Sequence, residues 1–171
     1  MIEAQALGFV LSQSPLRQTH FTHARRKLAS ATHPDAQALI AAWREKGHLI
    51  LGTHFPTRRW AKHLAHTVLL ERLRGDFRVR LAGFGLFCLH GFDPTGMRLS
   101  QVLRPGEFPV RAAELDQVLS TGRPHVAQRS LHWDSETVLA REVVSLPVLA
   151  ADTRTRLVLA VSFWTKRGWL N

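Results

Sequence analysis

Residues 74–83 read Arg-Gly-Asp-Phe-Arg-Val-Arg-Leu-Ala-Gly, and this stretch decides the fold class. Phe77, Val79 and Leu81 alternate with arginine and alanine, and a period of two predicts a half-buried strand whose arginines point outward. The apolar run 68–70 precedes it, and the Arg-Gly-Asp segment between them is typical of a turn. The sequence therefore predicts an antiparallel β-hairpin at the centre of the chain.

Downstream of the hairpin, short apolar segments alternate with glycine and proline. A helix is predicted over 112–120, and strands are predicted over 125–133, 138–149 and 156–165. Pro147 lies inside the second of these strands and suggests an edge position or a bulge. Two shorter helical segments, near 86–90 and 99–103, are predicted between the hairpin and the long helix.

Upstream of the hairpin, the chain is rich in alanine, leucine and histidine, which favours helices. One helix is predicted from Pro34 to about Lys46, ended by glycine, and a second over 56–66. Residues 1–33 are predicted either as short helices or as a loose arm. We therefore divide the chain into a helical lead-in, 1–66, and a domain containing the sheet, 67–171.

The formal net charge of +10 over 171 residues is concentrated in the lead-in. Residues 1–66 hold nine basic and three acidic residues, while 67–171 hold fourteen and ten. A lone Cys88 allows no internal disulfide and favours a reducing cytoplasm. No apolar run approaches the roughly 20 residues that span a bilayer, so no transmembrane segment is predicted.

Several weak motifs, in the right order, resemble a bacterial PAS domain with a helical N-terminal lead-in. Residues 75–83 resemble the start of the domain, and 84–103 (FGLFCLHGFDPTGMRLSQVL) resemble its pattern of helix, glycine and acidic turn. Residues 119–124 (LSTGRP) are similar to the join between the long helix and the third strand, and 141–149 (REVVSLPVL) to the penultimate strand. The resemblance covers about residues 36–165.

This resemblance implies an α+β fold with a five-stranded antiparallel sheet, helices on one face and a pocket between the two. PAS domains usually sense a small ligand or mediate contacts between signalling proteins. No kinase, cyclase or helix-turn-helix segment is recognisable, so we expect the output to pass through a protein signalling partner. We also expect a homodimer formed by the helices of 34–66.

The pocket implied by the resemblance would lie between the sheet and the helices that follow the hairpin. We expect it to admit a small apolar or aromatic ligand, with most of its apolar lining serving equally as core. The apolar candidates are Phe87, Leu103, Leu115, Leu119, Val126 and Phe163. The polar candidates are Arg80, His90 and His132.

Histidine spacing raises two cofactor hypotheses. The pairs His20/His23 and His63/His66 have the spacing of one helix face, but two ligands fall short of a structural zinc site, so no metal is predicted. Haem is a known option for PAS sensors, and an axial nitrogen could come from His90 or His125.

Three other function classes are weighed against the sensor. No nucleophile elbow, phosphate-binding loop or paired-carboxylate pattern is present, so no enzymatic activity is predicted. Nucleic-acid binding is the alternative that the charge suggests, with Arg25-Arg26-Lys27 as its nearest candidate site. It is disfavoured because aromatic residues do not interleave with the basic ones. The same three residues are too few for an electrostatic membrane anchor.

Overall fold

The computed structural model describes residues 21–85, 91–133 and 136–166. These residues form seven strands, three α-helices and one 3₁₀ helix. The strands are β1 Phe21–Leu28, β2 Leu49–Ile50, β3 Thr67–Leu73, β4 Asp76–Ala82, β5 His125–Trp133, β6 Glu136–Leu149 and β7 Arg156–Lys166. The helices are α1 Pro34–Lys46, α2 Leu99–Val102 and α3 Phe108–Thr121, and a 3₁₀ helix spans Arg58–His66.

All seven strands belong to one sheet, in the order β1-β5-β6-β7-β3-β4, with β2 pairing β6 at one end. Every pairing is antiparallel except the short one between β2 and β6. The α+β class is confirmed, and the predicted hairpin is β3–β4. The five strands predicted from residue 67 onward are five neighbours in this sheet.

The expectation of five strands is wrong, because the lead-in adds two more. Residues 25–27 lie in β1, which pairs along its whole length with β5. They form neither a helix nor a loose arm. The apolar period that would have revealed this strand is missing, because β1 lies at an edge where backbone hydrogen bonds to β5 hold it.

Helices cover both faces of the sheet, and not one as expected. On the first face, α1 and the 3₁₀ helix pack on a cluster that includes Leu39, Trp60 and Phe163. On the second face, α2 and α3 pack on a cluster that includes Phe77 and Leu115. The reason lies in β6 and β7, whose near-continuous apolar sequences need cover on both sides. We call these the α1 face and the α3 face.

Both predicted long helices are present. α1 begins after His33, whose ring nitrogen accepts a hydrogen bond from the Asp35 amide, and ends at Gly47 in the left-handed region (φ 69°). α3 is longer than the predicted 112–120. The helix predicted over 56–66 begins at Arg58 and is 3₁₀ throughout, and the one predicted near 86–90 lies outside the described residues.

Pro147 lies in a central strand, so the expectation of an edge strand is wrong, and the bulge in β6 falls at residues 140–141. The proline is tolerated because β5 ends opposite Ser145. On that side the Pro147 carbonyl accepts a hydrogen bond from the indole of Trp43 at 3.2 Å. The missing N–H therefore faces the gap beyond β5, where no ladder bond is lost.

Candidate functional site

The sequence-predicted pocket residues are divided between the two faces. Leu103, Leu115 and Leu119 pack in the apolar cluster of the α3 face. Val126 and Phe163 belong to the cluster of the α1 face. Phe163 is fully buried and lies against the ring of His63, with centroids 4.7 Å apart. These five residues therefore serve two cores and do not line one pocket.

The polar candidates also lie apart from one another. Arg80 is exposed on β4 and its guanidinium pairs with the Glu71 carboxylate at 3.0 Å. His132 is half-buried on β5, with its ring nitrogens 2.8 Å from Ser130 Oγ and 3.1 Å from Thr137 Oγ1. Phe87 and His90 lie outside the described residues.

Two described histidines behind the metal and haem hypotheses, His63 and His125, each lie beside a carboxylate. His63 Nε2 lies 2.9 Å from the Asp35 carboxylate, which Lys62 also contacts at 2.7 Å. These contacts lower the pKa of Asp35 to about 2, chiefly through the hydrogen bonds from Lys62 and His63. Across the described residues, no group of three metal-ligating side chains comes together. His20 lies outside them.

A row of arginines crosses the α3 face, and sequence reasoning missed it. Arg25 on β1, Arg129 on β5 and Arg141 on β6 are direct cross-strand neighbours, and the next residue in line on β7 is Trp164. Directly opposite side chains share a face and lie about 5 Å apart at Cβ. The register therefore aligns three like charges side by side. We call these three residues the arginine row.

One carboxylate from α3 lies against this row. Glu114, only 5% exposed, forms ion pairs with Arg25, with Arg129 at 3.5 Å and with Arg111 at 3.1 Å. Arg111 comes from the first turn of the same helix and also donates to Ser145 Oγ at 3.2 Å. Three guanidinium groups thus share a single buried acid.

The fourth guanidinium, that of Arg141, contacts no carboxylate among the described residues. It lies over the Trp164 ring at 5.5 Å, and its Nη1 is buried without a hydrogen-bond partner there. A buried donor without an acceptor costs free energy comparable to a lost hydrogen bond. Four guanidinium groups around one carboxylate leave a local excess of positive charge.

Burial, and after it the neighbouring positive charges, lowers the pKa of the basic groups around Glu114. Burial, together with the positive charges of Arg129, Arg141 and Arg25, lowers the pKa of Arg111 to about 9. Burial and Arg129 lower the pKa of Arg141 to about 10. His125 has its pKa lowered to about 4 by burial and by the surrounding cations, so its ring is neutral at pH 7. These shifts are the response expected of basic groups that are buried and also lie near other cations.

The α1 face carries a cleft of about 520 Å³ between α1 and residues 29–31, which precede that helix in the chain. Ile40, Trp43 and Val126 provide its apolar wall, and Arg44 and Arg123 lie at its rim. Small-molecule sites usually combine such an apolar wall with a few polar groups in a volume of roughly 300–1,000 Å³. Of the nine predicted pocket residues, Val126 lines this cleft.

The basic triplet does not form one surface. Arg25 reaches Glu114 on the α3 face, whereas Arg26 donates to the Gln128 side-chain oxygen at 2.9 Å. Lys27 lies on the same face of β1 as Arg25, because side chains two residues apart in a strand share a face. The strand therefore divides the three charges between opposite faces, which does not favour a phosphate-tracking arm.

No protein-family model matches the chain, and no curated protein matches it significantly. The likeness to PAS domains thus rests on the sequence motifs. Of the helices in the described ranges, none combines the length and the apolar character needed to cross a membrane.

Proposed function

We propose that the protein is a cytoplasmic PAS-type sensor or adaptor, a binding module and not an enzyme, that takes up a small apolar or aromatic ligand. The observation that supports this proposal is the cleft beside α1, because a ligand there touches both the helical lead-in and the sheet. Its apolar wall suits a ring or an alkyl chain, and Arg44 and Arg123 suit a polar end at the rim.

A ligand in the cleft would change how α1 is held. Residues 29–31 and the α1 side chains between Gln37 and Arg44 line one side of the cleft, and Val126 of β5 with the segment before it lines the other. Bridging the two sides restrains α1, whose outer surface is exposed at Ala41 and Glu45. A protein partner, or a second copy of the chain, would bind the exposed side of α1, and its affinity would depend on whether α1 is restrained.

The test is a titration with 8-anilinonaphthalene-1-sulfonate, an aromatic probe of suitable size, followed by fluorescence. Ser30→Trp places a large side chain in the cleft, and we expect at least tenfold weaker binding. Ala113→Trp, on the exposed side of α3, is the matched control and should stay within twofold of wild type. Equal affinity in both variants, or no saturable binding, would reject the cleft as the ligand site.

The homodimer is tested separately. Light scattering on the full chain should give twice the chain mass, and Glu45→Arg on the exposed side of α1 should lower it towards one chain. A monomer at high micromolar concentration would contradict the dimer without affecting the ligand proposal.

A further inference from the structure

The arginine row carries more positive charge than the acids in contact with it can balance. Like charges placed directly opposite on neighbouring strands destabilise a sheet. Buried or half-buried charges are tolerated when a counter-charge and hydrogen bonds accompany them. Among the described residues, Glu114 supplies one negative charge to the row, and the exposed Glu107 raises the pKa of Arg129. In the described residues, the cations beneath α3 outnumber the acids that contact them.

The row is also reachable from solvent. The side chains of Arg25 and Arg129 are 33% and 28% exposed, so each offers N–H groups beyond those that Glu114 accepts. Arg111 is held in place by its hydrogen bonds to Glu114 and Ser145, and it adds a fixed positive charge beside the row. Lys27 adds a further positive charge on the same side of β1, near enough to His125 to lower its pKa.

Guanidinium groups recognise oxyanions through paired, planar N–H donors. We propose that Arg25, Arg129 and Arg141 form a binding site for a small oxyanion with two negative charges, such as a phosphate monoester or a dicarboxylate. The bound anion would supply the counter-charge that the row lacks and would accept hydrogen bonds from the exposed Arg25 and Arg129, with the buried Arg141 contributing positive charge. The ligand would sit beside Glu114, at the outer edge of the α3 face.

This site is separate from the cleft that carries the proposed function. The cleft lies on the α1 face and has an apolar wall, whereas the row lies on the α3 face and is charged. Failure of one proposal therefore leaves the other standing. A sensor with both sites would respond to two chemically different ligands.

The experiment is a calorimetric titration of the full-length protein with inorganic phosphate and, in a second arm, with succinate. Ionic strength is held constant with sodium chloride, because general charge screening would otherwise imitate binding. We expect saturable binding of at least one probe and a loss of tenfold or more in Arg129→Gln. The matched control is Arg80→Gln, which removes another strand arginine paired with one carboxylate, and it should stay within twofold of wild type.

A second measurement needs no variant. Arginine Nε–Hε signals of the wild-type protein are followed by NMR during the same titrations, and a saturable shift in a subset of them supports the site. Binding of phosphate alone points to a phosphate ester, and binding of succinate alone to a dicarboxylate. The proposal is overturned if neither probe binds, if Arg80→Gln weakens binding as much as Arg129→Gln, or if only an oligonucleotide binds.

Discussion

Glu142 and Glu114 are both buried carboxylates, but they lie on opposite faces of the sheet with different partners. Glu142 on the α1 face is 1% exposed and accepts hydrogen bonds from the backbone amides of Thr32 and His33, at 3.0–3.2 Å, and from the Thr32 hydroxyl. Glu114 on the α3 face is 5% exposed, and its contacts are arginine side chains together with the ring of His125.

The difference separates a structural role from a binding role. Backbone amides are fixed in number and position, so Glu142 completes a closed set of hydrogen bonds that anchors the entry into α1. Arginine side chains carry more donors than one carboxylate can accept, so the set around Glu114 stays open. A closed set holds the fold, whereas an open set has capacity for another anion.

The largest expected effects test whether both faces are true cores. Leu39 on the α1 face and Leu115 on the α3 face are each fully buried. Truncation to alanine should lower the free energy of unfolding by about 3–5 kcal/mol in each case, because a transfer term and a cavity term add. Urea denaturation measures this. A loss under about 1 kcal/mol at either site would show that the helix over that face is only loosely packed.

The next largest effect compares the two carboxylates directly. Glu114→Gln should cost about 2–3 kcal/mol, discounted because Arg25 and Arg129 are partly exposed. Glu142→Gln should lower the free energy of unfolding by about 1–2 kcal/mol. The amide oxygen of the glutamine can still accept a hydrogen bond, but its NH₂ group would lie against the backbone N–H donors. The decisive measurement is urea denaturation repeated with phosphate at matched ionic strength. We expect phosphate to stabilise Glu142→Gln only as much as wild type, because the arginine row is intact there, and to stabilise Glu114→Gln by more. The comparison fails if both respond equally.

The smallest effect is a difference in pH response. The pKa of His125 on the α3 face is lowered to about 4, so the unfolded chain binds the proton more readily and stability falls as pH drops from about 6.5 to 4. The pKa of Asp35 on the α1 face is lowered to about 2, so its contribution is present above about 3.8 and is lost as pH falls towards 2.

Thermal unfolding across this pH range measures both windows. His125→Gln should flatten the slope between pH 6.5 and 4, and Asp35→Asn should flatten the slope below pH 4. Wild-type slopes that persist in both variants would show that other groups control the acid response of the two faces.

Local patterns were enough to predict most elements, because each depends on neighbours in sequence. The alternation at Phe77 and Val79 indicated a strand, and Gly47 indicated the end of a helix. β1 was missed because long-range pairing with β5 forms it, without an apolar period. The cover on both faces could have been inferred from the near-continuous apolar sequences at 143–149 in β6 and 157–163 in β7.

The candidate site was largely beyond sequence reasoning. Arg25, Arg129 and Arg141 are distant in the chain, and a one-residue change of register would move any of them to the other face. The predicted pocket treated Leu115 and Val126 as neighbours, although the sheet separates them. Val126 lines the cleft of the α1 face, but the α1 part of that cleft comes from the lead-in, where no pocket is predicted from the sequence.

The hydrogen bond between Trp43 and Pro147 has a consequence for self-association. Between the end of β5 opposite Ser145 and the pairing with β2 at Val148, the backbone of β6 has no strand partner on this side, and unpaired backbone can recruit strands from other molecules. Pro147 has no donor to offer there, and its carbonyl is already taken by the indole. The short backbone stretch between β5 and β2 is therefore a poor template for an incoming strand.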